Sequence, residues 1–101
     1  MTTTLALTEA ERAEVRAILA AHLPPGVHAA VFGSRAGGVP KAWSDLDLVL
    51  EGPAPLPLPV LAALAEAFDD SALPWKVDLV DRRAVSEAFG AIIDGCKVAL
   101  A

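Results

Sequence analysis

Gly33-Ser34-Arg35-Ala36-Gly37-Gly38, followed after five residues by Ser44-Asp45-Leu46-Asp47-Leu48-Val49-Leu50, decides how this chain is read. In front of it, Ala29-Ala30-Val31-Phe32 has the length and bounding of a buried strand. A strand that runs into Gly-Ser and a turn of small residues leaves backbone N–H groups at the start of the next helical turn. Such a turn suits phosphate oxygens, through its open donors and the positive end of the helix dipole. Asp45 and Asp47 stand two apart in a strand-like run, so both carboxylates project from one face. Leu46, Leu48 and Leu50 point to the other face and are expected in the core. Carboxylates this close repel each other unless a cation lies between them. Oxygen-only donors favour Mg²⁺ or Mn²⁺ over zinc. A phosphate cradle beside a magnesium-type carboxylate pair is the chemistry of a nucleoside triphosphate.

Outward from this stretch, the chain divides into short elements. Thr8-Glu9-Ala10-Glu11 fits a capping box, and Val15, Ile18, Leu19 and Leu23 recur at helical spacing, which predicts a helix over 8–22. Pro24-Pro25-Gly26 stops it, and the first strand spans 27–32. A short helical piece is expected over 34–38, a loop over 39–43 and a second strand over 45–51. After a proline-rich connection, Leu61, Leu64, Ala65 and Phe68 mark a helix over 58–70. A third strand is expected over 75–80. Asp81 is then expected to cap a helix whose inner face is Val85, Ala88, Phe89, Ile92 and Ile93, with Gly95 just past its end. A last short strand is expected over 96–100. This order gives an α/β (α+β) fold: one small mixed sheet with helices mainly on one face, residues 1–101 forming a single domain. The first two strands are expected antiparallel, and the third parallel to the second after its helical crossover.

Composition sets the bounds. A chain of 101 residues supports one core and leaves no room for a separate substrate domain. The net charge of −5, with no basic stripe, argues against stand-alone nucleic-acid binding. The single Cys96 rules out an internal disulfide and suits a reducing, cytoplasmic setting. No signal peptide or membrane-length apolar run is evident. The 54% apolar fraction suits a face shared with a second copy or a partner, although alanine alone accounts for much of it.

Taken together, Gly33-Ser34, the spacer and Asp45-x-Asp47 on an apolar strand resemble the signature of the DNA polymerase β-like nucleotidyltransferase superfamily. The fuller string resembles its smallest branch, the minimal nucleotidyltransferases, which include MntA-type antitoxins acting with a HEPN-domain toxin. The resemblance covers nearly the whole chain and implies the polymerase β-like core. It implies that Gly33, Ser34 and Arg35 bind the nucleotide and that Asp45, Asp47 and Asp78 are catalytic and hold metal. Asp78, alternating with Val77 and Leu79, matches the family's third carboxylate. A third carboxylate lets a site hold two Mg²⁺ ions (or Mn²⁺), one on the triphosphate and one on the attacking hydroxyl. The implied reaction transfers AMP from ATP to an acceptor hydroxyl on the toxin, with a neutraliser acting by contact alone as the other reading. One departure is Gly37, where related minimal sequences often carry Arg.

Each of these residues also has a plainer role open to it. The aspartates fit a solvated strand face, Gly33-Ser34 an ordinary turn, and Arg35 an ion pair with one of the acids. His22 and His28 read as structural, Trp43 as a loop aromatic that also stands where it could flank a base, Trp75 as core, and Lys76 as a surface charge sharing Asp78's face. Cys96 lacks the basic surroundings that a nucleophile needs.

Overall fold

In the computed structural model, which describes residues 6–36 and 44–100, Thr8 caps the first helix, α1 (Glu9–His22). The Thr8 hydroxyl accepts from the Glu11 backbone N–H at 3.1 Å, and the Glu11 carboxylate accepts from the Thr8 N–H at 2.9 Å. Two donors that a helix start leaves unpaired are thereby satisfied reciprocally. The chain continues through β1 (His28–Phe32), a single 3₁₀ turn (Gly33–Arg35), β2 (Leu46–Glu51), α2 (Leu58–Asp69), β3 (Val77–Asp81), α3 (Glu87–Cys96) and β4 (Val98–Ala99). The loop expected over 39–43, with Trp43, and the position of Gly37 lie outside the described residues.

The sheet has the order β3-β2-β1-β4. β1 pairs antiparallel with β2 and β4, while β2 pairs parallel with β3. These are the expected strand directions. β2 therefore lies inside the sheet, and its alternation sorts its side chains cleanly. Leu46, Leu48 and Leu50 are fully buried against Val15 and Leu19 of α1, Val31 of β1 and Leu64 and Phe68 of α2. Each such buried aliphatic contributes about 1.5–3 kcal/mol relative to exposure, which makes this layer the main source of stability. On the opposite face a smaller cluster joins Ala30, Phe32 and Val49 to Ile93 of α3.

Helices α1 and α2 thus share one face, and α3 covers part of the other. The details of α3 differ from expectation. Its cap is Ser86, whose hydroxyl accepts from the Phe89 N–H at 3.2 Å. Asp81 instead accepts from Leu56 N at 2.7 Å and Arg83 N at 2.9 Å, tying the β2–α2 connection to the turn after β3. Gly95 lies within the helix rather than beyond it, and Lys97 is the C-cap. Only Gly90 and Ile93 of α3 are buried, whereas Phe89 and Ile92 are exposed. The helix also makes the Arg82–Asp94 ion pair at 3.0 Å and the Lys97–Glu51 pair at 2.6 Å.

Candidate active site

The site begins where β1 ends. Val31 points into the main core and Phe32 to the α3 face. Gly33 then turns the backbone to φ +77°, a conformation that L side chains rarely adopt. A Cβ at this position would run into the Asp47 carboxylate, so only glycine lets the turn lie against that side chain. Ser34 follows, exposed, and the Ala36 N–H closes the turn on the Gly33 carbonyl at 3.1 Å. The described part of this segment is one 3₁₀ turn rather than a longer helix, so peptide N–H groups and the Ser34 hydroxyl, more than a macrodipole, are what it offers an anion.

Register assembles the carboxylates. Asp47 lies across from Phe32 in the antiparallel pair and beside Asp78 in the parallel pair. By strand alternation Asp47 and Asp78 share the face of Val49 and Val80, which is also the face covered further along by α3. Asp45 is exposed at the entry to β2. Partial burial, followed by the negative charges of Asp78 and Asp45, pushes the Asp47 carboxyl above the usual aspartate range. Both neighbouring carboxylates therefore act on Asp47 electrostatically. Lys76 Nζ lies 3.7 Å from Asp78 Oδ1 in a solvent-exposed pair, as a surface charge would. Among the described residues no three acidic, histidine or cysteine side chains close into a ready-made metal cage. The carboxylates form an open set.

Arg35, next in the turn, contacts the chain itself. It is buried, its Nη1 donates to the Ala6 carbonyl at 2.9 Å, and its Nε and Nη2 both donate to the Ser44 carbonyl at 3.1 and 3.0 Å. The guanidinium also sits 4.6 Å from the centre of the Trp75 ring. The Ala6 N–H returns a bond to the Arg35 carbonyl at 3.0 Å. Arg35 thus fastens the chain ahead of α1, the 3₁₀ turn and the residue preceding Asp45 onto a core aromatic. Sequence reasoning misses this positioning role, because Ala6, Ser44 and Trp75 carry no pattern that links them to Arg35. His22 and His28 are exposed and away from the site, and Cys96 is exposed with a free thiol. A hollow of about 310 Å³ lined by Leu19, Leu23, Val27 and Leu100 lies on the α1 face of the sheet, opposite the carboxylates, and has no part in this chemistry.

A glycine turn pressed onto an aspartate, with a second aspartate in register beside it, sits on a four-stranded mixed sheet, and the sequence matches the nucleotidyltransferase domain family. That family's model matches residues 12–94. The chain belongs to this family and is a nucleotidyltransferase. It is 45% identical over 83 residues, covering 82% of this chain and 72% of the relative, to the probable protein adenylyltransferase MntA of Haemophilus influenzae. A crystal structure of a toxin–antitoxin with AMP-PNP superposes with a TM-score of 0.74 at 25% identity, covering 89% of this chain and 72% of that one. The MntA–HepT toxin–antitoxin crystal structure gives a TM-score of 0.62 at 20% identity over 93% of this chain and 72% of that one, a likeness of fold.

Proposed function

We propose that this chain transfers AMP from ATP to a hydroxyl on a protein partner, a HEPN-type toxin that it thereby neutralises, in a cytoplasmic setting. The observation that carries the reading is the seating of the Gly33 turn on Asp47 with Asp78 in register beside it. A turn that offers donors to phosphate oxygens and a carboxylate set that demands a counter-charge meet at one point. The relative named as a probable protein adenylyltransferase and the AMP-PNP-containing neighbour support the same nucleotide and the same kind of acceptor.

The residues fit Mg²⁺. The donors are all carboxylate oxygens, and partial burial and the charges of Asp78 and Asp45 disfavour the ionised form of Asp47, a cost that a divalent cation relieves. Magnesium is ordinarily held by one or two carboxylates together with substrate phosphates, which matches an open set better than a closed cage. Asp45, Asp47 and Asp78 would hold it, as one or two ions, and when bound it supplies charge neutralisation at the phosphates. Gly33 and Ser34 orient the triphosphate through the turn's donors. Asp78 accepts the proton of the attacking hydroxyl. The acceptor oxygen forms a bond to the α-phosphorus as the bond from that phosphorus to its bridging oxygen breaks, and pyrophosphate leaves. The protein acts by positioning and electrostatics, with no covalent enzyme intermediate.

The test is transfer of α-phosphate-labelled ATP to the co-purified toxin, with the wild type and Asp47→Asn. Labelling and neutralisation lost together in a variant that still folds and still binds the toxin support the enzyme. Full neutralisation by the unlabelling variant would replace this reading with inhibition by contact.

A further inference from the structure

Phe89 is the aromatic residue of α3 that the core leaves out: it is 40% exposed, although its neighbour Ile93 is fully buried. Among the described residues its ring meets one other, that of Phe32, edge to face at 6.1 Å and 78°. Phe32 immediately precedes Gly33 and lies directly across from Asp47. Cross-strand neighbours stand about 5 Å apart at their Cβ atoms. The path Asp47–Phe32–Phe89 therefore leads in two side-chain steps from the carboxylates to a partly exposed aromatic ring on the same face of the sheet.

We infer that Phe89 is the stacking platform for the base of the nucleotide whose phosphates the Gly33 turn and the carboxylates hold. This inference rests on the reading of that site as a nucleotide site. An aromatic ring offers a neutral, flat surface that suits a base. The edge-to-face contact with Phe32 anchors the ring, and 40% of the residue remains exposed. α3 itself is held in place by its ion pairs at the far end, Arg82–Asp94 and Lys97–Glu51, so the platform is set before a ligand arrives. Rigid placement of this kind lowers the ordering cost of binding.

The experiment is calorimetric titration of the wild type, Phe89→Ala, Phe89→Leu and Phe89→Trp with a magnesium-loaded non-hydrolysable ATP analogue. Magnesium tripolyphosphate, which has neither base nor sugar, is titrated in parallel. The Ala and Leu variants are expected to lose about tenfold in affinity for the analogue and none for tripolyphosphate, while Trp retains or improves it. The Leu variant keeps apolar bulk against Phe32, so it decides the question if the Ala variant does not fold. Equal analogue affinity in wild type and Leu variant, or parallel losses for both ligands, would overturn the inference. So would unchanged analogue affinity with lost transfer to the toxin, which would make Phe89 part of the acceptor surface. A wild-type chain that binds neither ligand would instead sink the nucleotide-site reading on which this one stands.

Discussion

Gly33 and Asp47 are in direct van der Waals contact across the β1–β2 pair, and the glycine has no room for even a methyl group against the carboxylate. Gly33→Ala is expected to be doubly costly. The positive φ alone costs on the order of 1–3 kcal/mol for an L residue, and the added carbon displaces Asp47. Denaturant unfolding checks the first effect. Loss of magnesium-dependent ATP-analogue binding in the still-folded variant checks the second.

Asp47→Asn is expected to stabilise the fold slightly while abolishing nucleotide transfer. Asp47 has a raised folded-state pKa, so the folded chain binds its proton more tightly than the unfolded chain does. The sign follows: this group favours folding most below its unfolded value, and that advantage is lost as pH rises through the folded value. At neutral pH the ionised carboxylate therefore works against the fold, and asparagine removes the repulsion from Asp78 and Asp45. Thermal melts at neutral pH should show the variant melting a few degrees above the wild type. A lower melting temperature would contradict this account.

Arg35→Ala is expected to act on stability first. Hydrogen bonds from a charged donor contribute about 1.5–3 kcal/mol each, and the substitution removes those to the Ser44 and Ala6 carbonyls. Arg35→Lys should recover little of the loss, because an ammonium cannot reproduce the fork over Trp75. The contrasting outcome is an Arg35→Lys chain with wild-type stability and weakened triphosphate binding. That would return Arg35 to the role of phosphate ligand.

Acid sensitivity should centre on the far end of α3. Asp94 is lowered to about 2, first by its hydrogen bond from Arg82 and then by that from Lys97. A depressed carboxyl contributes stability above its unfolded value and loses that contribution as pH falls through the folded value. The window therefore runs from about pH 4 down to about pH 2. Melting temperatures of wild type and Asp94→Asn should converge across that window as pH is lowered.

Strand alternation and capping are legible in the sequence because both are local. Leu46, Leu48 and Leu50 alternate with Asp45, Asp47 and Val49, and one pattern places both the core and the carboxylates. The Thr8–Glu11 box marks the start of α1 through residues three apart in the chain. α3 is harder because Phe89, Ile92 and Ile93 put apolar surface on more than one side of a short helix. Ile93 is the side chain that joins Ala30, Phe32 and Val49, partners brought together by the sheet and not encoded in sequence spacing. Asp81 reads as a cap because it follows a strand and precedes a helix, but its partner is Leu56, brought near only by the fold. The Arg35 clamp and the closeness of Phe89 to the carboxylates are likewise products of tertiary packing.

The two-sidedness of β2 also constrains how this sequence can vary. Asp47 and Leu48 are adjacent in the chain and belong to opposite faces. Inserting or deleting one residue within the strand would exchange the faces, driving a carboxylate into the leucine layer and leucines onto the site. Descendants of this gene can therefore lose their chemistry by substitution and remain folded, whereas length changes between Asp45 and Leu50 remove fold and chemistry at once.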